Sequence, residues 1–169
     1  MRKIQRLIRQ LDVDLPTPLT VQGVVSALET ARDRRIQVVA MTIDEPTGPC
    51  GLWVATPETD YVLYSREASP VLQVQTILHE LMHIALKHTG RTLLSGVDRL
   101  SGSLNPTEAQ VLLARSTSAF VDERQERDAE LLATYLGARL DGGNHIGVFD
   151  DLGDDTAAVM YRIAAALAD

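Results

Sequence analysis

The most constraining feature of this chain is a pair of histidines inside an apolar stretch of helical character. Residues 77–88 read ILHELMHIALKH and hold three of the four histidines in the sequence. His79 and His83 are four residues apart, so on a helix their side chains lie on the same side, about one turn from each other. Two imidazoles in this arrangement can point at a single ion, as the tetrahedral coordination of zinc requires.

Glu80 directly follows the first histidine and projects about 100° round the helix from it. This angle is too large for Glu80 to complete the same ligand set, but it lets the carboxylate reach a water at the metal. The spacing H-E-x-x-H is typical of zinc hydrolases, in which the histidines are ligands and the glutamate is the general base. We therefore predict that Glu80 is catalytic and that His79 and His83 bind a metal.

The same residues could instead form the wet side of an amphipathic helix. Polar side chains do recur there at helical spacing, at Gln73, Thr76, Glu80, His83 and Lys87. Apolar residues, however, leave little of the helix for solvent: Ile77, Leu78, Leu81, Met82, Ile84 and Leu86. Burying even a neutral polar group without a partner costs about 2–7 kcal/mol. A bound metal offsets that cost, so the segment favours a zinc site.

A third ligand has to come from another part of the chain. His88 lies five residues after His83, about 140° round the same helix, so we expect it to interact with the helix dipole and not with the metal. An acidic cluster later in the sequence supplies the candidates Asp122, Glu123, Glu126, Asp128 and Glu130.

Helical geometry ranks these acids. Their helix has a predicted buried stripe, which consists of Ala129, Leu132, Ala133, Leu136 and Leu140. Glu126 lies about 60° from the centre of that stripe, and the other acids lie at about 100° or more, except Asp122. Asp122 is nearer in angle, but it precedes Ala129 by two turns and has a shorter side chain. Glu126 is thus the favoured ligand, while Glu130 could orient a ligand histidine.

The remaining patterns predict an α+β domain. Predicted helices cover residues 4–11, the segment that Thr20 caps, the segment from Ser69-Pro70 to Gly90, and residues 118–140 and 155–167. Residues 107–115 form either a short helix or irregular structure. The β-branched run IQVVAMTI at 36–43 predicts a strand, and GLWVA and YVLYS predict a hairpin about the turn TPETD. No linker or repeat interrupts the chain, so residues 1–169 are expected to form one domain.

Composition excludes several classes of function. Hydrophobic residues make up 45% of the 169 residues and charged residues 23%, a balance that allows a buried core. The formal net charge of -7 repels phosphate backbones, so direct nucleic-acid binding is not expected. The sequence contains no apolar run of about 18 residues, so no membrane helix is expected. Cys50 is the single cysteine, which excludes an intramolecular disulfide and favours the cytoplasm.

Together, these segments resemble the ImmA/IrrE family of metallo-endopeptidases. QTILHELMHIALKH is similar to the motif helix of that family, His88 included, and ERQERDAELLATYL resembles its downstream glutamate helix. LPTPLTVQGVVSAL, IQVVAMTI and CGLWVATPETDYVLYSREASP are similar to its leading helix, first strand and hairpin, so the likeness covers most of the chain. Three positions depart from the usual family pattern: Met82 replaces a glycine, Glu130 an asparagine or aspartate, and Leu132 a phenylalanine.

The resemblance implies a small zincin-like fold, in which helices pack on a short antiparallel or mixed sheet. It also implies Zn²⁺ held by His79, His83 and Glu126, with Glu80 as the general base of peptide-bond hydrolysis. The substrate would be a helix-turn-helix repressor or an antitoxin. The enzyme would bind this partner by direct protein contact, without binding DNA or a membrane. Candidate donors to the oxyanion are Tyr135 and His145. The oligomeric state stays open.

Three other interpretations share part of the pattern. Peptide deformylases also carry H-E-x-x-H, but GPCGL around Cys50 lacks the cysteine motif of their metal site. RNA-processing metalloproteins with three histidines need a last interval one residue longer than that from His83 to His88, and they leave Glu80 unexplained. The main alternative is a non-catalytic, zinc-containing regulatory or toxin-like module that binds a partner. A closed four-ligand site would favour that module, whereas the intact Glu80 argues against it.

Overall fold

The computed structural model describes residues 2–41, 51–56, 58–88 and 122–140. Its elements in chain order are α1 (Arg2–Gln10), α2 (Val21–Arg32), β1 (Arg35–Met41), β2 (Gly51–Ala55), β3 (Thr59–Ser65), α3 (Pro70–Ala85) and α4 (Glu123–Gly137). Four helices and a small mixed sheet make the described part α+β, as predicted. The segment 107–115, the helix predicted over 155–167, and the residues Cys50 and His145 lie outside the described residues.

The two N-terminal helices follow their apolar patterns. In α1, Ile4 and Leu7 are buried. In α2, the predicted stripe is buried in full: Val21, Val24, Val25 and Leu28. Thr20 caps α2 as predicted, because its Oγ1 accepts the backbone N–H of Gly23 at 2.9 Å.

Three strands form a sheet in the order β1-β3-β2. β2 and β3 are antiparallel and form the predicted hairpin, with Leu52 opposite Leu63. β1 pairs with β3 in the parallel direction, so β3 is the central strand. Central position explains why β3 is buried from Thr59 to Tyr64, without the alternation of a strand that has one wet face.

Helix α3 begins where the sequence predicts and ends earlier. Ser69 caps it by accepting the backbone N–H of Leu72 at 3.4 Å, and Pro70 is its first residue. The predicted stop at Gly90 was wrong, because the helix ends at Ala85. Lys87 takes a left-handed conformation with φ of 55°, which reverses the chain direction and terminates the helix.

The helix α3 lies in the middle of the core, between the sheet and α4. Its apolar residues are almost fully buried: Ile77, Leu78, Leu81, Met82 and Ile84. The strand β2 approaches so closely that a Cβ on Gly51 would overlap the Thr76 side chain and lie 3.0 Å from the carbonyl oxygen of Leu63. Only glycine permits this approach, which brings the start of β2 next to the histidine-bearing helix.

A buried ion cluster joins the end of α3 to the sheet. Asp60 in β3 is completely buried and accepts Arg32 Nη2 at 2.8 Å and Trp53 Nε1 at 3.1 Å. Arg34 Nε lies 3.1 Å from the same carboxylate. The second terminal nitrogen of Arg32, Nη1, donates to the carbonyl oxygen of Ile84 at 3.1 Å. The last turn of α3 is therefore anchored to β3 through α2.

None of the described helices qualifies as a membrane span. No helix within residues 2–41, 51–56, 58–88 and 122–140 has both the length and the apolarity that a membrane span needs.

Candidate metal centre

The predicted ligands come from two helices that pack side by side. His79 and His83 lie one turn apart on α3, and Glu126 lies in the first turn of α4. The start of α4 is set by Asp122, whose Oδ1 accepts the backbone N–H groups of Arg124 at 2.9 Å and Gln125 at 3.4 Å. This cap places Glu126 one turn into the helix, opposite the histidines.

The three donor atoms form a triangle with sides close to those of a zinc site. His79 Nε2 lies 3.0 Å from His83 Nε2 and 3.2 Å from Glu126 Oε2. His83 Nε2 lies 3.7 Å from Glu126 Oε2. Ligand bonds of 2.0–2.1 Å in a tetrahedron put donor atoms about 3.3 Å apart. An ion about 2.0 Å from all three atoms therefore fits the residues as they stand.

The donor set also has the right chemistry and an open side. Two imidazoles and one carboxylate are the protein ligands of many catalytic zinc ions, which keep a fourth position for water or substrate. Within the described part of the chain, no further histidine, cysteine or acid joins the group. The Glu126 side chain is 36% exposed, and those of His79 and His83 are 20% and 11% exposed. Solvent therefore reaches the group, most of all at Glu126.

Glu130 holds the outer nitrogen of the first histidine. Its Oε2 lies 3.2 Å from His79 Nδ1, and its Oε1 accepts Gln75 Nε2 at 3.2 Å and Thr134 Oγ1 at 3.4 Å. A proton on His79 Nδ1, donated to Glu130, leaves Nε2 free for a metal. The bond to His79 is the main cause that lowers the pKa of Glu130. The structure thus places Glu130 where sequence reasoning proposed an orienting residue.

Opposing effects act on the protonation of His79. Burial lowers the pKa of His79, but the hydrogen bond to Glu130 and the attraction of the carboxylates of Glu80, Glu126 and Glu130 outweigh it. The pKa is therefore raised above the ordinary value of 6.5. A metal that binds to this ring must therefore displace a proton from it.

The structure brings His88 to the site, contrary to the sequence prediction. His88 Nδ1 lies 3.1 Å from His83 Nδ1, and the two rings meet edge to face with centroids 5.0 Å apart. The prediction assumed a continuous helix, in which His88 would point away from His83. Burial is the main cause that lowers the pKa of His88, and nearby carboxylates, Asp128 foremost, oppose it only in part.

Glu80 lies beside the donor group and not in it. Its Oε1 is 3.4 Å from the position that a Cβ on Gly51 would take, so the carboxylate lies between α3 and the first residue of β2. It is close enough to His79 to raise the pKa of that histidine. This position, beside the donor group and outside it, agrees with the displacement that helical spacing predicts for Glu80 relative to His79.

Other sequence candidates take different partners. Asp128 forms an ion pair with Lys3 of α1 at 2.7 Å. Glu123 contacts Arg127 at 3.4 Å on the surface of α4. Tyr135 lies nine residues after Glu126, about 180° round the helix. Its ring packs 3.7 Å from the guanidinium of Arg139 and lines a groove with α1, so it is no oxyanion donor here.

The arrangement can bind a divalent metal with three side chains and place a carboxylate next to the open position. Comparison with protein-family models, with curated proteins and with solved structures found no match. The ImmA/IrrE resemblance accordingly stays a prediction from the sequence segments, and the donor geometry stands independently of it.

Proposed function

We propose that this protein is a zinc-dependent endopeptidase of ImmA/IrrE type. The observation that carries the proposal is the convergence of His79, His83 and Glu126 from two helices, with donor atoms 3.0–3.7 Å apart and Glu80 beside them. Two imidazoles, one carboxylate and an open side are the features of a hydrolytic zinc site. The four helices and the small mixed sheet of the described residues are compatible with a zincin-like fold, which we propose for the chain.

Zn²⁺ is the metal that suits this donor set best. His79 and His83 would bind through Nε2 and Glu126 through Oε2, since these atoms face one another. When bound, zinc supplies Lewis acidity, which lowers the pKa of water and polarises a carbonyl group. The outer nitrogen of His79 is held by Glu130, so this ring is oriented before any metal arrives.

Glu80 is the proposed general base. Its carboxylate accepts the proton of the attacking water and passes it to the leaving amine, so the peptide bond breaks while a carboxyl group and an amine form. The opening beside Glu126 gives the peptide access, because this side of the group is the exposed one.

The proposed substrate is a partner protein, either a helix-turn-helix repressor or an antitoxin. Support comes from the sequence resemblance, since enzymes of this kind are often encoded beside such a partner. The net charge of -7 disfavours recruitment by nucleic acid, so the partner would be met by protein contact. We place this encounter in the cytoplasm, the compartment that a single cysteine favours.

Co-expression with a helix-turn-helix regulator encoded beside the gene tests the proposal. Wild-type protein should shorten the regulator, as read by intact-mass spectrometry. Glu80→Gln should keep zinc but cleave about 10²–10⁴-fold more slowly, because the amide cannot accept the proton. Glu123→Gln is the matched control, since Glu123 contacts only the exposed Arg127 among the contacts described here, and it should cleave like the wild type.

Two outcomes would contradict parts of the proposal. Cleavage by Glu80→Gln at the wild-type rate would show that Glu80 is not the base. Zinc binding by the wild type without cleavage of the regulator would favour the non-catalytic module that binds a partner.

A further inference from the structure

The end of α3 is closed by a reversed turn, which carries His88 back over the helix. The backbone N–H of His88 donates to the carbonyl oxygen of His83 at 3.0 Å, and that of Lys87 donates to Ile84 at 3.1 Å. These two bonds, with the left-handed Lys87 between the helix and His88, are those of a Schellman motif. In a continuous helix, residue 88 would lie about 140° round from His83. The turn is therefore what brings the two imidazoles together.

The turn is anchored from the sheet side. The carbonyl oxygen of Ile84 accepts both the N–H of Lys87 and Nη1 of Arg32, each at 3.1 Å. Arg32 is held in turn by the fully buried Asp60 at 2.8 Å. The position of His88 is consequently set by the folded core and not by a free end of the helix.

Hydrogen-bond chemistry then determines where the protons lie when a metal is bound. His83 contributes Nε2 to the donor triangle, so in a neutral ring its one proton is on Nδ1. This N–H faces His88 Nδ1 at 3.1 Å. For a hydrogen bond to form, His88 Nδ1 must be the acceptor, and the proton of His88 must be on Nε2.

We propose that His88 is a positioning residue of the metal centre, which accepts a hydrogen bond from His83 Nδ1 and so fixes the tautomer and the ring orientation of His83. The proposal rests on the proposed zinc site. It gives the two ligand histidines different supports: His79 is held by the carboxylate of Glu130, and His83 by the neutral ring of His88. Outer-shell partners of this kind typically contribute 10–100-fold to metal affinity.

Zinc affinity of the purified full-length chain is the test, measured by competition with a chromophoric chelator and without substrate. His88→Ala should bind zinc about 10–100-fold more weakly than the wild type. His88→Asn should recover most of this loss, since its amide oxygen can accept the same hydrogen bond. Lys87→Gly is the control from the same turn. It keeps the left-handed conformation and removes an exposed side chain, whose ion pair with Asp12 at 4.0 Å is solvent-exposed and remote from the donor atoms, so its affinity should be unchanged.

A spectroscopic measurement on the wild type decides the matter even where a variant fails to fold. Long-range ¹H–¹⁵N spectra of the zinc-loaded protein should show His83 protonated on Nδ1 and His88 protonated on Nε2. A metal bond through His83 Nδ1, or the opposite tautomer of His88, would overturn the assignment.

The outcomes separate this inference from the proposed function. Equal zinc affinity of His88→Ala and wild type would overturn the role of His88 alone. Weaker affinity of His88→Ala, with recovery in His88→Asn, supports that role even where no regulator is cleaved. A wild-type chain that binds no zinc would overturn both.

Discussion

Single residues of the acidic cluster on α4 have separate partners, although they are close in sequence. Asp128 forms an ion pair with Lys3 of α1, and Asp122 caps the helix. Among the described acids of this helix, Glu126 is the one that lies within 3.7 Å of both Nε2 atoms. Position relative to α3 therefore distinguishes the proposed ligand from the neighbouring acids more sharply than helical angle does.

Zinc content should reflect this division. Purified wild-type protein should hold about one zinc ion per chain, and Glu126→Ala should lose affinity by more than the 10–100-fold typical of an outer-shell change. His79→Ala and His83→Ala should behave in the same way, whereas Asp128→Ala should retain the metal. Elemental analysis after dialysis measures the difference. A metal-free Asp128→Ala beside a zinc-loaded Glu126→Ala would show that the third ligand is misassigned.

Protonation of His79 gives the metal-free protein and the zinc-loaded protein opposite responses to pH. The raised pKa of His79 means that its protonated form stabilises the metal-free fold. This stabilisation is fully present below the unfolded pKa of about 6.5 and is lost as pH rises through the higher folded pKa. Zinc requires the same ring without its proton, so acid opposes metal binding.

We expect the rise in melting temperature produced by a fixed zinc concentration to increase as pH is raised from about 6 through that window. Thermal unfolding with and without zinc at a series of pH values measures it. Glu130→Gln removes the hydrogen bond that contributes most to raising the pKa of His79, so the increase should occur at lower pH. A zinc-induced shift that is the same at every pH would contradict the expectation.

Capping is a property of single elements, and α2 allows it to be measured away from the proposed metal centre. Thr20→Ala removes the oxygen that accepts the N–H of Gly23, and it should lower the free energy of unfolding by about 0.5–2 kcal/mol. Thr30→Ala is the control, because the hydroxyl of Thr30 only donates to the carbonyl oxygen of Ser26 on the exposed side of the same helix. Its effect should stay within about 0.5 kcal/mol. Urea unfolding of both variants compares them, and equal losses would argue against a cap at Thr20.

The ion cluster around Asp60 acts on the whole described structure, since it connects α2, the sheet and the end of α3. Asp60→Asn should destabilise the protein by about 3–5 kcal/mol, because it leaves the charges of Arg32 and Arg34 without their buried partner. Glu123→Ala breaks an exposed pair instead and should cost about 0.3–0.5 kcal/mol. Chemical denaturation measures both free energies of unfolding. A loss at Asp60 as small as that at Glu123 would contradict a role for this cluster in stability.

Local patterns in the sequence were sufficient for much of the fold. Caps at Thr20 and Ser69 and the apolar stripe of α2 involve residues within a turn or two of each other, so they can be recognised without knowledge of the rest of the chain. The hairpin of β2 and β3 is local in the same sense. The convergence of His79 and His83 follows from helical spacing alone. Glu126 was favoured by its angle to the stripe together with its reach, because Asp122 is nearer in angle but has a shorter side chain, and by the family resemblance.

Contacts between distant segments account for what these patterns missed. The parallel pairing of β1 with β3 depends on which strand is available as a neighbour, and β-branched runs carry no such information. The stop at Lys87 was missed because glycine is the usual left-handed residue. Here Arg32, which is held by the buried Asp60, supports the turn through Ile84, 52 residues away in sequence. His88 reaches His83 through that turn. Spacing along a helix predicts which side chains can share a metal, whereas the side chains that support those ligands depend on how the packed core ends the helix.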